Sequence, residues 1–525
     1  MSLHLNSMNV QAAPSRIGDV IHPWVERTPD GQAIVDPSGA WTYRQLSQAI
    51  AESEQWLSAM GIRAGDRVML VGENCRVLAA LLLAASGIDA WPVPVSARYS
   101  AREIEQIREH CGARRVIYTT SVSPHAREHA KRDGAIVENI GLLGTLGIGA
   151  LNEAAGAEPV DASISDRVAV LIYTSGTTGL PKGVMLTHRN LLFIATWSSQ
   201  VRRLTPADRI YGVLPMFHVT GLSVALLGAL LSGASLHIPA RFDPAMFCDA
   251  IQKDQLTIVL GVPGMFALLC EYAKTNAMDS FKFPSLRIIS SSGAPLDTVL
   301  KTSTEKLFGL TLNNGYGVTE CSPTIAQTRI DDPRSDTSAG PIIPNVEVKL
   351  VGPQGNEVLN GDVGELRVRG PNVMKGYYRS PEETSASIDS EGWFNTRDLG
   401  RLEQGHLHIV GRTKELIIRF GFNVYPAEIE AVLNSHPEVA KSAVIGRTIE
   451  GQKGDEQIIA FVQAVSGSKV TATELSRFAG RNLSTYKRPS HILILEGLPL
   501  TPSGKVAKRE LVGLQEYKSL PADGF

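Results

Sequence analysis

From about residue 30, short apolar runs alternate with amphipathic stretches, and this rhythm constrains the fold more than any other feature of the sequence. Arg67–Val71, Ala90–Val95 and Arg115–Thr119 read as strands, with Val77–Ala85 and Ala101–His110 as helices between them. Strands that alternate with helices predict a parallel sheet covered by helices. The rhythm recurs through Arg209–Val213, Ser235–Ile238, Thr257–Leu260 and Arg287–Ser290. No fixed period of roughly 20–50 residues is visible, which argues against a solenoid. After Gly340, Val346–Val351, Gly364–Arg369, Leu399–Leu402 and Leu407–Val410 are short strand-like segments between Gly, Asn and Pro turns, predicting a smaller β subdomain. A final section reads as strand (Glu415–Ile418), helix (Pro426–Asn434), strands (Val439–Gly446, Glu456–Gln463), helix (Ala472–Leu483) and strand (His491–Leu495). The expected fold class is α/β: a large N-terminal domain of helix-covered β-sheets with a small β subdomain, over residues 1–411, and a small α+β C-terminal domain over 412–525.

Composition narrows the partners. Apolar residues make up 43% of the 525, enough for a sizeable core, and 51 Lys+Arg against 53 Asp+Glu leave a net charge of −2. A nucleic acid or other partner held mainly by bulk electrostatics is excluded on that balance. Cys75, Cys111, Cys248, Cys270 and Cys321 are scattered, with no zinc-ligand spacing and no disulfide framework, as expected of a reducing, cytoplasmic setting. The segment MSLHLNSMNVQAAPSR has neither a basic start nor a long apolar run, so no secretory leader is expected. The uncharged run Val219–Leu236 contains three glycines, three serines and a threonine, and reads as a buried helix and strand rather than a membrane span.

The densest chemical signal is Leu171-Ile-Tyr-Thr-Ser-Gly-Thr-Thr-Gly-Leu-Pro-Lys-Gly183, an apolar strand entering a loop of hydroxyls, glycines and one lysine. Glycines let backbone N–H groups approach an anion, Thr174, Ser175, Thr177 and Thr178 add donors around Gly176, and Lys182 adds a point charge. Such a loop cradles a polyphosphate. It is not the G-x-x-x-x-G-K-[ST] loop of ordinary nucleotide hydrolases, because Pro181 precedes the lysine and Gly183 follows it.

This loop resembles the phosphate loop of the adenylate-forming enzymes, which include acyl-CoA synthetases, luciferases and peptide-synthetase adenylation domains. Seven further blocks resemble that family in the same order. They are Pro215-Met-Phe-His-Val-Thr-Gly221, Ser291-Ser-Gly-Ala-Pro295, Gly315-Tyr-Gly-Val-Thr-Glu320, Gly364-Glu-Leu-Arg-Val-Arg-Gly370, Gly392-Trp-Phe-Asn-Thr-Arg-Asp398, Gly411-Arg-Thr-Lys-Glu-Leu-Ile417 and Pro502-Ser-Gly-Lys505. The resemblance implies two half-reactions: a carboxylate attacks the α-phosphorus of ATP and expels pyrophosphate, then a thiol displaces AMP. It implies ATP, Mg²⁺ and coenzyme A as the small molecules required.

By the same resemblance, Lys505 bridges carboxylate and α-phosphate, Thr319 donates to that phosphate, and Glu320 holds Mg²⁺. Tyr316 lies against the adenine, Gly293, Ala294 and Pro295 line its other side, and Asn314 and Gly317 complete the nucleotide set. Asp398 and Arg412 reach the ribose. Lys414 is the hinge about which a mobile C-terminal domain turns, exchanging Lys505 for the coenzyme A loop at Gly421 and Phe422. His218 gates the acyl and pantetheine channel. Two positions depart from the family: Arg397 stands where glycine is common, and Ile418 where many relatives carry lysine.

The acyl pocket implied is lined by Phe217, Val219, Thr220, Gly261, Val262, Ser291, Gly315, Val318 and Gly340. No Arg or Lys is in that set, so a second carboxylate would be buried unpaired, and a monocarboxylic acid with an aromatic or medium-chain body is expected. An enzyme that loads a separate carrier protein is the alternative to a CoA ligase, and an oxidative luciferase would share every block. A binder without catalysis would be expected to lack Lys505, Glu320 or the loop, all of which are present. A homodimer, and a lysine acyltransferase acting on Lys505, are the candidate macromolecular partners.

Overall fold

The computed structural model describes residues 14–175, 181–239, 241–419, 422–448, 456–501, 506–518 and 520. It is a mixed α/β protein with a large N-terminal domain and a small C-terminal one. An 8-stranded sheet runs in the order Thr324–Gln327, Leu312–Gly317, Ile288–Ser292, Ile258–Gly261, Arg209–Tyr211, Ser235–His237, Gln32–Asp36, Gly39–Thr42. Its interior pairings are parallel, as the strand–helix alternation predicts, and both edge pairings are antiparallel. The edges differ because Gly39–Thr42 and Thr324–Gln327 follow their partners through tight turns, with no crossover helix needed. A 5-stranded sheet (Trp91–Ser96, Arg67–Gly72, Arg115–Tyr118, Gly144–Ile148, Ile136–Ile140) repeats this plan, with a parallel centre and an antiparallel hairpin at one edge.

The helix Arg76–Gly87 buries every residue from Val77 to Ser86. A helix apolar on all sides belongs between layers. Its side chains share one core with Val68 and Leu70 of the 5-stranded sheet and with Ile34, Ile210, Leu236 and Ile258 of the 8-stranded sheet. Each of its fully buried leucines contributes up to about 1.5–3 kcal/mol by leaving water. Val219–Leu236 lies in the same core. Thr220–Leu227 winds as a π-helix, followed by a short α-helix over Gly228–Leu231 and the strand Ser235–His237. The helix and strand expected there are present, and the π winding was not legible from composition. No described helix is long and apolar enough to cross a membrane.

Four smaller sheets complete the molecule's working parts, one of them the short antiparallel pair Ile417–Arg419 and Phe422–Val424. Val168–Ser175 and Pro181–Thr187 form an antiparallel hairpin that Gly376–Tyr377 joins. Glu347–Val351, Gly364–Arg369, Phe394–Glu403 and His406–Arg412 make the β subdomain. The C-terminal domain has a 3-stranded sheet (Val439–Thr448, Glu456–Ala464, His491–Leu495) backed by Pro426–Asn434 and Ala472–Asn482. Thr413–Glu415 is a 3₁₀ turn and the next strand opens at Ile417, two residues later than the apolar pattern suggested.

Candidate active site

The parallel strands of the 8-stranded sheet deliver their C-terminal ends to one side, where open α/β sheets bind ligands. Gly261, Ser291 and Ser292, and Gly315 to Gly317 stand at those ends. Gly317 is needed for steric reasons: a Cβ there would come within 2.0 Å of the Pro323 carbonyl oxygen, because the chain doubles back at once into Thr324–Gln327. That close reversal aims Tyr316 outward to the β subdomain. Its hydroxyl donates to Asp398 Oδ2 at 2.5 Å, and Arg412 Nε donates to Asp398 Oδ1 at 3.1 Å. Burial, then the Asp398 charge, pushes the Tyr316 phenol well above its ordinary value. Asp398 is itself buried. Its position follows from a bulge: Leu366 faces a longer stretch of the neighbouring strand, Thr396 Oγ1 donates to the Leu366 carbonyl, and the Asp398 N–H donates to Thr396 Oγ1.

A second cluster forms around Tyr377. The 3₁₀ turn Thr319–Cys321 presents Glu320, whose Oε1 accepts from the Tyr377 hydroxyl at 2.8 Å and whose carbonyl accepts from the Met374 N–H. Lys182, on the phosphate-loop hairpin, is ion-paired with Glu383 and lies 5.3 Å from the centre of the Tyr377 ring. Burial and the Glu320 charge push the Tyr377 phenol up, and the positive charge of Arg397 pulls against them. Among the described residues no group of three or more His, Cys, Asp or Glu is placed to hold a metal. The lone carboxylate Glu320 fits a hard cation that keeps waters and phosphate oxygens as its other ligands, as Mg²⁺ does.

Thr174 and Lys182 face each other across the hairpin, as do Ser175 and Pro181. Gly176, Thr177, Thr178, Gly421 and Lys505 lie outside the described residues. Gly293, with φ +83°, turns the chain after its strand and leaves Gly293 and Pro295 exposed on a rim beside Ala294. Asn314, expected in the nucleotide set, has its amide donating to the Thr337 and Ser338 carbonyls at 3.0 and 3.2 Å. It thereby holds the approach to Gly340, a position at φ +87° where a Cβ would meet backbone atoms of Gln327 and Thr328 at 2.3 Å. Phe217 packs at 4.7 Å from the His218 ring and edge-on to Tyr99 at 6.2 Å. Val219 is buried and Thr220 opens the π-helix, while Val262 and Val318 pack on the central core. Phe422 is 55% exposed and stacks on Tyr486. Lys414 is exposed in its 3₁₀ turn, next to Thr413, whose hydroxyl donates to Glu365.

Residues 21–378 match the family model of the AMP-binding enzyme, and 428–505 match that of the AMP-binding enzyme C-terminal domain. The chain belongs to the AMP-binding enzyme family. It is 35% identical over 489 residues to a feruloyl-CoA synthase from an Amycolatopsis species, covering 92% of this chain and 96% of that one. It is 32% identical to 4-coumarate–CoA ligase 3 of Oryza sativa subsp. japonica, over 90% of this chain and 87% of that one. Of solved structures, ATP-bound MatB from Rhodopseudomonas palustris matches with a TM-score of 0.82 at 30% identity, over 96% of this chain and 99% of that one. The O-succinylbenzoate coenzyme A synthetase MenE of Bacillus subtilis, in complex with ATP and magnesium ion, matches at 0.78 and 29% identity, over 94% and 99%.

Within this member of the family, three side chains at the site escaped the sequence reading: Tyr377, Glu383 and Tyr99. Tyr377 and Glu383 lie in Met374-Lys-Gly-Tyr-Tyr-Arg-Ser-Pro-Glu-Glu383, which carries no hydrophobic period and few glycines. The available signal was a pair of tyrosines after a glycine, a weak one on its own.

Proposed function

We propose that this protein is an AMP-forming carboxylate–CoA ligase acting on an aromatic monocarboxylic acid. The observation that supports it most is that two clusters meet through one short segment, Tyr316 bonding to Asp398 and Glu320 to Tyr377. Asp398, Tyr316 and Arg412 suit a ribose, whose adjacent hydroxyls need one carboxylate able to accept two hydrogen bonds. Glu320, Thr319 and Lys182 suit a metal-bound polyphosphate. When bound, Mg²⁺ at Glu320 would neutralise phosphate charge. The acid's carboxylate attacks the α-phosphorus, the bond to the leaving pyrophosphate breaks, and the acyl-adenylate then yields its acyl group to the thiol of coenzyme A with release of AMP. Lys505 would supply the cation at the first of these steps.

The whole-length likeness to feruloyl-CoA synthases and 4-coumarate–CoA ligases favours an aromatic acid over a medium chain. The absence of Arg and Lys from the set Phe217, Val219, Thr220, Gly261, Val262, Ser291, Gly315, Val318 and Gly340 favours a single carboxylate. The domain boundary in this proposal falls between 411 and 412, with rotation about Lys414. The proposal extends to a cytoplasmic location, in keeping with five free cysteines, to a homodimer, and to acylation of Lys505 as an off-switch. Light scattering tests the dimer, and mass spectrometry of protein from its native host tests the modification. The deciding experiment is AMP release from a panel of cinnamic, benzoic, medium-chain and dicarboxylic acids, with and without coenzyme A. Hydroxycinnamates are expected to lead, with AMP release dependent on coenzyme A. A dicarboxylate at the top, or turnover indifferent to coenzyme A, would overturn this reading.

A further inference from the structure

Three arginines, Arg203, Arg379 and Arg397, occupy left-handed backbone, which glycine adopts freely and a residue with a Cβ resists. Two of them have occupied guanidinium groups. Arg203 donates to Asp331 at 3.1 Å, and Arg379 donates to the His110 carbonyl at 3.0 Å. The third differs. Arg397 has φ +59°, its N–H donates to Asn395 Oδ1, and its half-buried guanidinium has no hydrogen-bond or ion-pair partner among the described residues. Among the described residues, two other cations of the site are already engaged, Lys182 with Glu383 and Arg412 with Asp398.

The placement is equally specific. Arg397 stands in the bulge that sets Asp398, and bulges beside active sites serve to re-aim side chains. One neighbour is therefore the carboxylate suited to a ribose. On the other side its charge reaches the Tyr377 phenol that holds Glu320, the carboxylate suited to Mg²⁺. Along a nucleotide, the group between the ribose and a phosphate-bound metal is the α-phosphate. A strained backbone that keeps a side chain where glycine would be easier is retained when that side chain has work at a ligand.

We infer that Arg397 is a phosphate-binding residue that this chain adds to its nucleotide site, contacting the α-phosphate of ATP and of AMP through its planar donor fork. The inference rests on the nucleotide-site reading above. An arginine is suited to this role because its fork matches two phosphate oxygens and its charge is permanent. It also supplies a cation from the large domain that is independent of Lys505.

The test uses the full chain and needs no knowledge of the acid. Binding of Mg²⁺·ATP and of AMP is measured by isothermal titration for the native protein, Arg397→Gly and Asp398→Ala, with a melting curve for each. Arg397→Gly is expected to weaken both nucleotides by roughly tenfold or more, the factor for one lost charged hydrogen bond. Its melting temperature should hold or rise, because glycine relieves the left-handed backbone. If Asp398→Ala weakens both nucleotides and Arg397→Gly stays within about twofold of native (against the roughly tenfold expected), the role of Arg397 is overturned while the nucleotide site stands. If neither variant weakens binding, the site reading itself fails and the inference with it. A loss confined to ATP would refute the α-phosphate contact, and a melting temperature lowered by several degrees in Arg397→Gly would mark the arginine as structural.

Discussion

Tyr377→Phe removes one atom from the centre of the site and separates two functions of that side chain. The ring stays, with its packing in the main core and its cation–π contact to Lys182. What is lost is the hydroxyl that donates to Glu320 Oε1 at 2.8 Å. A hydrogen bond to a charged group is worth about 1.5–3 kcal/mol. Glu320 is only half-buried, so water can replace part of the bond and the lower figure applies. About 1.5 kcal/mol corresponds to roughly a tenfold change in an equilibrium. Without its donor, the Glu320 carboxylate samples other rotamers, and ordering it again falls on the metal-bound nucleotide. ATP–pyrophosphate exchange, run over a range of Mg²⁺ concentrations with the best acid from the panel, should show half-maximal rate at roughly tenfold higher Mg²⁺. The melting temperature should change little. Tyr377→Ala should lose the ring contact as well and fall further. An unchanged Mg²⁺ dependence in Tyr377→Phe would refute the reasoning that the hydroxyl positions Glu320.

Gly317→Ala places a Cβ 2.0 Å from the Pro323 carbonyl oxygen, so the reversal after Tyr316 must open. Lowered nucleotide affinity and a melting temperature down by several degrees are expected, read by titration and a thermal scan, and a native-like variant would refute the steric argument. His188 is buried, its Nδ1 accepts from the Ile17 N–H, and burial lowers its pKa from 6.5 to about 4. The unfolded chain then binds the proton that the folded one refuses, so stability falls as pH drops from about 6.5 towards 4, by up to ~3 kcal/mol. Denaturant midpoints across that range should show the slope in the native protein and a shallower one in His188→Gln; equal slopes would count against it. Lys505→Ala should abolish adenylate formation and leave thiol transfer from a supplied acyl-adenylate largely intact, whereas equal loss of both steps would argue against the division of labour.

Much of this was legible in the sequence because it is local. The strands Arg67–Gly72 and Arg115–Tyr118 and the helix Arg76–Gly87 announce themselves through runs of apolar residues, and the structure places them within a residue or two of the expected bounds. The antiparallel edges were not legible, since a strand's own pattern does not record which neighbour it takes. Nor was the π winding of Thr220–Leu227, where every residue after Thr220 is buried and no polar face marks a period. Nor were the partners of the Asn314 amide, the Thr337 and Ser338 carbonyls, because they lie more than twenty residues away along the chain.

By itself, then, the sequence determined the family, the order of its elements and the residues able to carry charge, because eight ordered blocks and a strand–helix rhythm are properties of the chain as written. Only the tertiary structure decided which charges meet. Tyr377 reaches Glu320 across 57 residues because Gly376–Tyr377 pairs in register with Val184–Met185, and Tyr316 reaches Asp398 across 82 because a bulge turns that carboxylate towards it. Register and bulges are settled by the packing of whole sheets, which no local stretch encodes, and it is they that set Arg397 beside Asp398, its guanidinium without a partner among the described residues.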